Sequence, residues 1–245
     1  MFEAHTKGTP IARPLFFSDP ADVRTYDIST QFLIGDAVMV SPVLSPGVTS
    51  ISAYFPAGTW FNLFDYSSTV SAPVGDYFKL DAPADSINVH VRGSCILVMQ
   101  EEAMTTELAR RSRFELLVVL HGGAAAGELF VDDGEVVEMG GEESEWSLVK
   151  FSAKIEGKGV VKIKSEVVNG TYAWDHKLVV KKIVVLGLKS KQASEMLTIY
   201  SNGVELRREG MSVRYEKRGS FVVAEIDGLA QLIGENSELS LNFTG

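Results

Sequence analysis

The chain has 245 residues, 45% of them hydrophobic and 22% charged, with a formal net charge of −9 at neutral pH. That composition is globular rather than disordered or fibrous, and its acidic balance argues against nucleic acid as a partner, because such a surface repels phosphates. Cys95 is the single cysteine, which excludes an intrachain disulfide, and no apolar run is long enough to cross a bilayer.

Residues 1–5 read as the last turn of a helix, closed by Lys7 and Gly8. Residues 11–17 follow with almost no polar alternation, which predicts a strand covered on both faces. A turn at 19–22 leads to Ile28, Phe32 and Leu33, spaced as one face of a short helix that Gly35 would stop. Residues 38–43 are a second apolar strand. The expectation is therefore strand, crossover, strand, as in a parallel α/β sheet. Ile11, Leu15, Phe16, Phe17, Phe32, Leu33, Val38, Met39, Val40 and Val43 all ask for burial there. Fully buried, the set is worth on the order of 15–30 kcal/mol, an upper bound. Two strands cannot supply that cover, so another part of a larger protein, or another chain, is expected over residues 11–44.

From Gly47 the pattern changes to short alternating strands at 50–55, 58–63, 77–80 and 87–91, punctuated by turns at 56–58 and 81–83. A strand at 94–100 is expected to close this small sandwich, and the polar stretch 101–113 to act as a linker. Further strands are expected at 114–120, 128–131, 146–155, 160–165, 179–186, 197–200, 221–226 and 239–243, with a flexible loop at 122–127 and a hairpin turn at Asp133-Gly134. Strands at this spacing predict a second sandwich. The chain thus divides into 1–45, 46–112 and 113–245, and its fold class is mainly β.

Residues with chemical potential are few. Asp19, Asp22, Asp27, Glu101-Glu102 and Asp132-Asp133 are carboxylates in turns or polar stretches, where solvation is the ordinary role. Asp132 and Asp133 with Glu135 offer oxygen ligands of the kind a weak calcium site uses. His90 alternates with Val89 and Val91 and is expected to be hydrogen-bonded inside a sandwich beside Arg92. His5, His121 and His176 lie in loop-like stretches without metal-ligand spacing. Arg13, within an apolar run, requires a paired acid or several carbonyls. Tyr54, Phe55, Trp60, Phe61, Phe64 and Tyr66 form an aromatic group read as an interface rather than a sugar platform. Lys177, Lys181-Lys182 and Arg207-Arg208 read as solvated strand faces. Asn169-Gly-Thr171 and Asn242-Phe-Thr244 are glycosylation acceptor triplets. Catalytic residues: none; cofactor-binding and metal residues: none.

Four blocks carry a resemblance in order and spacing: Gly-Thr-Pro-Ile-Ala-Arg-Pro-Leu-Phe-Phe at 8–17, Gln-Phe-Leu-Ile-Gly at 31–35, Val-Ser-Pro-Val-Leu at 40–44 and Ala-Tyr-Phe-Pro-Ala-Gly-Thr-Trp-Phe at 53–61. With Ile-Asn-Val-His-Val-Arg-Gly at 87–93 and Phe-Val-Asp-Asp-Gly-Glu at 130–135, the chain resembles the C-terminal portion of glycoside hydrolase family 31, nearest to plant α-glucosidases and α-xylosidases. The resemblance implies the last strands of a (β/α)8 barrel followed by proximal and distal β-sandwiches. It implies retaining exo-hydrolysis of α-linked glucose or xylose, which needs two carboxyl groups about 5–5.5 Å apart. The family's Trp-x-Asp-Met-Asn-Glu, Gly-Asp-Asn and Arg-Asn-His motifs do not occur here, so no catalytic residue carries over and the chain is expected to be inactive alone. Carbohydrate is then a substrate only of the intact enzyme, and Ser41 would lie at a strand end near it.

The partner of Arg13 is expected on a part of the barrel outside this chain. In the family a helix continues upstream of Met1, so a truncated gene model or partial transcript is the expected origin, with any signal peptide upstream. A secreted cell-wall or vacuolar setting is expected for the full-length relative. Asp19 and Ser86 depart from the family pattern, at positions where an aromatic and a histidine are usual. Two other readings are a free-standing carbohydrate-binding sandwich using Trp60 or Trp146, and a protein-interaction module docking through its opening strands.

Overall fold

The computed structural model describes residues 1–142, 144–157, 159–189, 197–207, 209–218 and 221–243. The chain forms two compact units, Met1–Gly93 and Ser94–Gly245. Both are built mainly of strands, as the sequence predicts.

The first unit opens with helix α1 (Phe2–Lys7), strand β1 (Ala12–Arg13), helix α2 (Leu15–Ser18) and a 3-10 turn at Val23–Thr25. Strands β2 (Phe32–Ile34), β3 (Val38–Ser41), β4 (Ser50–Phe55), β5 (Gly58–Asn62), β6 (Thr69–Ala72), β7 (Asp76–Asp81) and β8 (Asn88–Arg92) follow. Six form one sheet in the order β1-β2-β3-β8-β5-β6, and β4 pairs with β7 as a separate ribbon. Leu33, Met39, Trp60, Val70 and Ala72 of the sheet meet Ala53, Tyr54, Phe55 and Leu80 of the ribbon in one core, which Leu15 of α2 completes.

The opening stretch differs from the parallel strand–crossover–strand expected of it. Pro14 has no N–H for a strand ladder and sits at φ −63°, so the apolar run breaks there and Leu15–Ser18 turns into α2. The expected helix around Ile28–Leu33 is replaced by β2, which pairs antiparallel with β1 and with β3. Gly35, at φ +60°, turns the chain between β2 and β3 in a conformation glycine adopts without penalty. β3 then continues antiparallel onto β8. Burial is met in part by the unit itself. Leu15, Leu33, Met39 and Val40 are enclosed, whereas Ile11, Phe16, Phe17 and Val43 stay 38–46% exposed.

In the second unit β9 (Cys95–Gln100), helix α3 (Thr106–Arg111), β10 (Phe114–Val119), β11 (Ala124–Asp132), β12 (Trp146–Glu156), β13 (Val160–Asn169) and helix α4 (Thr171–Asp175) precede β14 (Val179–Lys189). β15 (Thr198–Ser201), β16 (Val204–Glu205), β17 (Ser212–Arg218), β18 (Phe221–Leu232) and β19 (Ser237–Asn242) complete it. The eleven strands form one sheet in the order β16-β15-β19-β13-β12-β11-β9-β10-β14-β18-β17. The sheet doubles over, so that Leu116 of β10 and Val180 of β14 line the same interior as Phe151 of β12, Ile163 of β13 and Leu239 of β19. Along β12, Val149, Phe151 and Ala153 point inward and Lys150, Ser152 and Lys154 outward, the two-residue period of a half-buried strand. β10 and β14 pair in parallel.

β9 was expected to close the first sandwich. All six of its residues pair instead with β10. The polar stretch expected as a linker is the connection between them. Thr105 caps α3 by accepting the Leu108 N–H at 3.2 Å, and Ser112 ends it.

Candidate functional site

The first unit's densest polar cluster centres on Arg13, at the end of β1 and 4% exposed. Its Nε donates to the Pro10 carbonyl at 2.8 Å, and one Nη donates to Glu3 at 2.9 Å and to the Thr9 hydroxyl at 3.2 Å. The other Nη donates to Asp36 in the β2–β3 turn, whose carboxylate also accepts from the Ser18 hydroxyl at 2.9 Å. The guanidinium lies 5.5 Å from the Phe17 ring centre. Every partner comes from within the opening 36 residues, which corrects the expectation of a partner outside the chain. The acids lie on α1 and in a hairpin turn, and no sequence spacing links them to Arg13.

A second cluster ties the 3-10 turn to the core. Asp22 accepts the Tyr54 hydroxyl and pairs with Arg24 at 3.0 Å. The Tyr54 hydroxyl holds the Asp22 carboxyl below its usual range, with Arg24 adding to the effect. Burial first, and Asp22 second, push the Tyr54 phenol up to about 12. Gln31 closes the same region: its carbonyl accepts the Tyr54 N–H at 2.7 Å, and its amide donates to the Tyr54 carbonyl at 3.0 Å and the Ser41 hydroxyl at 2.9 Å. Ser41 is buried and serves as an acceptor there.

The third cluster is on β8. Arg92 pairs with Asp19 and stands 4.7 Å over the Trp60 ring. His90, 1% exposed, meets the edge of Phe55 with ring centres 4.9 Å apart. Neither ring nitrogen has a hydrogen-bond partner, contrary to the expectation, and burial lowers its pKa to about 4. Alternation places the ring inside, where it packs against Phe55 rather than against a polar partner.

Four of the six aromatics are core rather than interface. Tyr54, Phe55 and Trp60 are fully enclosed and Phe61 nearly so, while Phe64 is 69% exposed. Trp60 donates to the Pro56 carbonyl at 3.0 Å and presents no face to a sugar. Trp146, in the second unit, is half-buried and stacked on Phe130.

Other singled-out residues are scattered. Asp27, His5 and Glu102 are exposed. Glu101 pairs with Lys181 at 2.8 Å, and Lys182 with Glu225 at 3.1 Å and Glu115 at 3.3 Å, so these lysines lie in ion-pair ladders across strands. Asp133 accepts the Glu135 N–H at 3.0 Å, and Arg110 donates to the Asp133 carbonyl at 2.7 Å. A cation already stands at the turn read as a weak calcium site. His176 stacks on Tyr172, His121 is exposed and Cys95 is half-buried at the head of β9. Arg208 and Thr244 lie outside the described residues. Among the described residues, then, arginine-clamped carboxylates and enclosed aromatics dominate, an arrangement suited to holding a scaffold.

Comparisons with known proteins agree on what that scaffold is. Residues 8–97 match the glycosyl hydrolase family 31 C-terminal domain. The chain is 48% identical to an α-glucosidase of Hordeum vulgare over 98% of its own length and 28% of that protein's. It is 34% identical to α-xylosidase 1 of Arabidopsis thaliana, over 98% of the chain and 27% of the relative. The solved glucosidase II α subunit superposes on 99% of the chain and 26% of its own length, with a TM-score of 0.79 at 21% identity, a likeness of fold. The chain thus spans just over a quarter of the length of the curated relatives it matches.

Proposed function

We propose that this chain, which belongs to glycoside hydrolase family 31 and resembles the C-terminal part of its plant α-glucosidases and α-xylosidases, is the structural C-terminal portion of a retaining, exo-acting α-glycosidase and is inactive by itself. The observation that carries this reading is the commitment of four carboxylates of the first unit to arginines. Glu3 and Asp36 clamp Arg13, Asp22 pairs with Arg24, and Asp19 pairs with Arg92. A retaining site needs one carboxylate free to attack the anomeric carbon and a second to deliver and later remove a proton, about 5–5.5 Å apart. Carboxylates whose oxygens are taken up by arginine are held away from a nucleophilic role.

The opening stretch supports a barrel, or another chain, lying over residues 11–44. Ile11, Phe16, Phe17 and Val43 are each 38–46% exposed. Covering the remaining surface of all four is worth about 3–5 kcal/mol. In the intact enzyme, carbohydrate binds and reacts on the catalytic barrel, and this portion supports that barrel.

The test is direct. The purified chain is incubated with chromogenic α-glucosides and α-xylosides, and aglycone release is followed against buffer. No release above background is expected. Turnover that survives re-purification and is abolished by replacing a carboxylate of this chain would overturn the proposal.

A further inference from the structure

We propose that Asn169 is an N-glycosylation site of this chain and that Asn242, which carries the same triplet pattern, is not. The two triplets differ in where the fold places them. Asn169 is the last residue of β13, at the junction with α4, and pairs only with Leu148 of β12. β19 is laddered to β13 no further than Ser165, so no strand pairs with Asn169 on its other edge. The Asn169 Oδ1 accepts the Thr171 N–H at 3.0 Å. That contact fixes the carbonyl end of the amide and leaves Nδ2, the atom to be modified, without a protein partner among the described residues. Thr171 is exposed. The two residues border a surface depression of about 410 Å³ formed with Glu142, Ser144, Glu145 and Trp146. It offers room for a sugar, polar groups for its hydroxyls and an indole for its apolar face.

Asn242 has the opposite setting. It lies in β19, between β13 and β15, paired with Val160 on one side and Thr198 on the other. Its Oδ1 is buried without a hydrogen-bond partner. The Asn242 amide is thus enclosed at its oxygen, whereas the Asn169 amide is held at its oxygen by Thr171 with its nitrogen turned to no protein group among the described residues.

The donor is a lipid-linked oligosaccharide pyrophosphate of the secretory pathway. The Asn169 Nδ2 forms a bond to the anomeric carbon of the first N-acetylglucosamine, and the bond from that carbon to the pyrophosphate oxygen breaks. The lipid pyrophosphate departs with the electron pair, and the amide loses one proton to the transferase's base. Nothing is oxidised or reduced.

To test this, the whole chain is expressed behind a cleavable secretion signal in a eukaryotic host, and the microsome-protected fraction is collected. Treatment with peptide N-glycosidase converts any glycosylated asparagine to aspartate, which peptide mapping by mass spectrometry then locates. The expected result is aspartate at position 169 and intact asparagine at 242. Asn169→Gln and Thr171→Ala should each abolish the glycosidase-sensitive gel shift, and Asn242→Gln should leave it whole. Mapping of the unsubstituted chain decides the matter even if a variant misfolds. A protected chain bare at Asn169, or one carrying sugar at Asn242, overturns the proposal.

Discussion

Lowering the pH from 7.5 to 5 should destabilise the first unit through His90. The ring is 1% exposed, lies against Phe55 and has no partner for either nitrogen, so its charged form is excluded from the fold. Burial lowers its pKa from 6.5 to about 4. Between those values the unfolded chain holds a proton that the folded chain does not, so stability falls as pH falls, beginning near 6.5 and ending near 4. At pH 5 the imbalance costs about 2 kcal/mol relative to pH 7.5. For a unit of this size, that lowers the melting midpoint by about 8–16 °C. Trp60 is the only tryptophan of the first unit and is fully enclosed, so in a Trp146→Phe, Trp174→Phe background its fluorescence reports this unit alone. His90→Met, apolar and close in volume, should flatten the pH dependence above pH 5. A midpoint that stays level in the parent, or a slope unchanged in His90→Met, refutes the reasoning.

Other perturbations test the remaining supports. The buried member of the Arg13 cluster is the cation, since Glu3 and Asp36 side chains are 34% and 64% exposed. Glu3→Gln with Asp36→Asn should therefore cost about 3 kcal/mol by stranding Arg13, while Arg13→Met should cost only about 1, as measured by urea unfolding. In the second unit, a Cβ on Gly187 would sit 2.1 Å from the Leu120 carbonyl oxygen at a φ of +85°. Gly187→Ala should cost upwards of about 3 kcal/mol or prevent folding, whereas Gly203→Ala, at φ +81° with open space around it, should cost about 1 in the same assay.

Much of the fold was legible because alternation is a local signal. Strands such as β12 declare themselves by the contrast of Val149, Phe151 and Ala153 with Lys150, Ser152 and Lys154. The failures share a cause: partners are chosen by tertiary context. The apolar run at 11–17 has a double-faced composition, yet Pro14 rules out an unbroken ladder and marks where α2 begins. The pairing of β9 depends on β10, across a polar connection that holds the Thr105-capped helix α3. In the polar clusters, the need of Arg13 for acids could be read from its neighbours. Glu3 and Asp36 could not, because a helix and a hairpin turn bring them to it. His90 shows the reverse. Its enclosure followed from alternation, but its lack of any partner depends on Phe55 and on strands remote in sequence.

The side-by-side alignment of β10 with β14 also orders events during synthesis. As the polypeptide leaves the ribosome, β9 and β10 can join at once as a ribbon, but Phe114 must wait for Val180 before its outer flank is occupied. Until then a bare, strongly apolar strand flank is presented to its surroundings, the condition that invites mispairing between nascent chains. Slow translation through β11 to β13 prolongs that interval, so the yield of soluble material should depend on holdase chaperones more than on the final stability of the sheet.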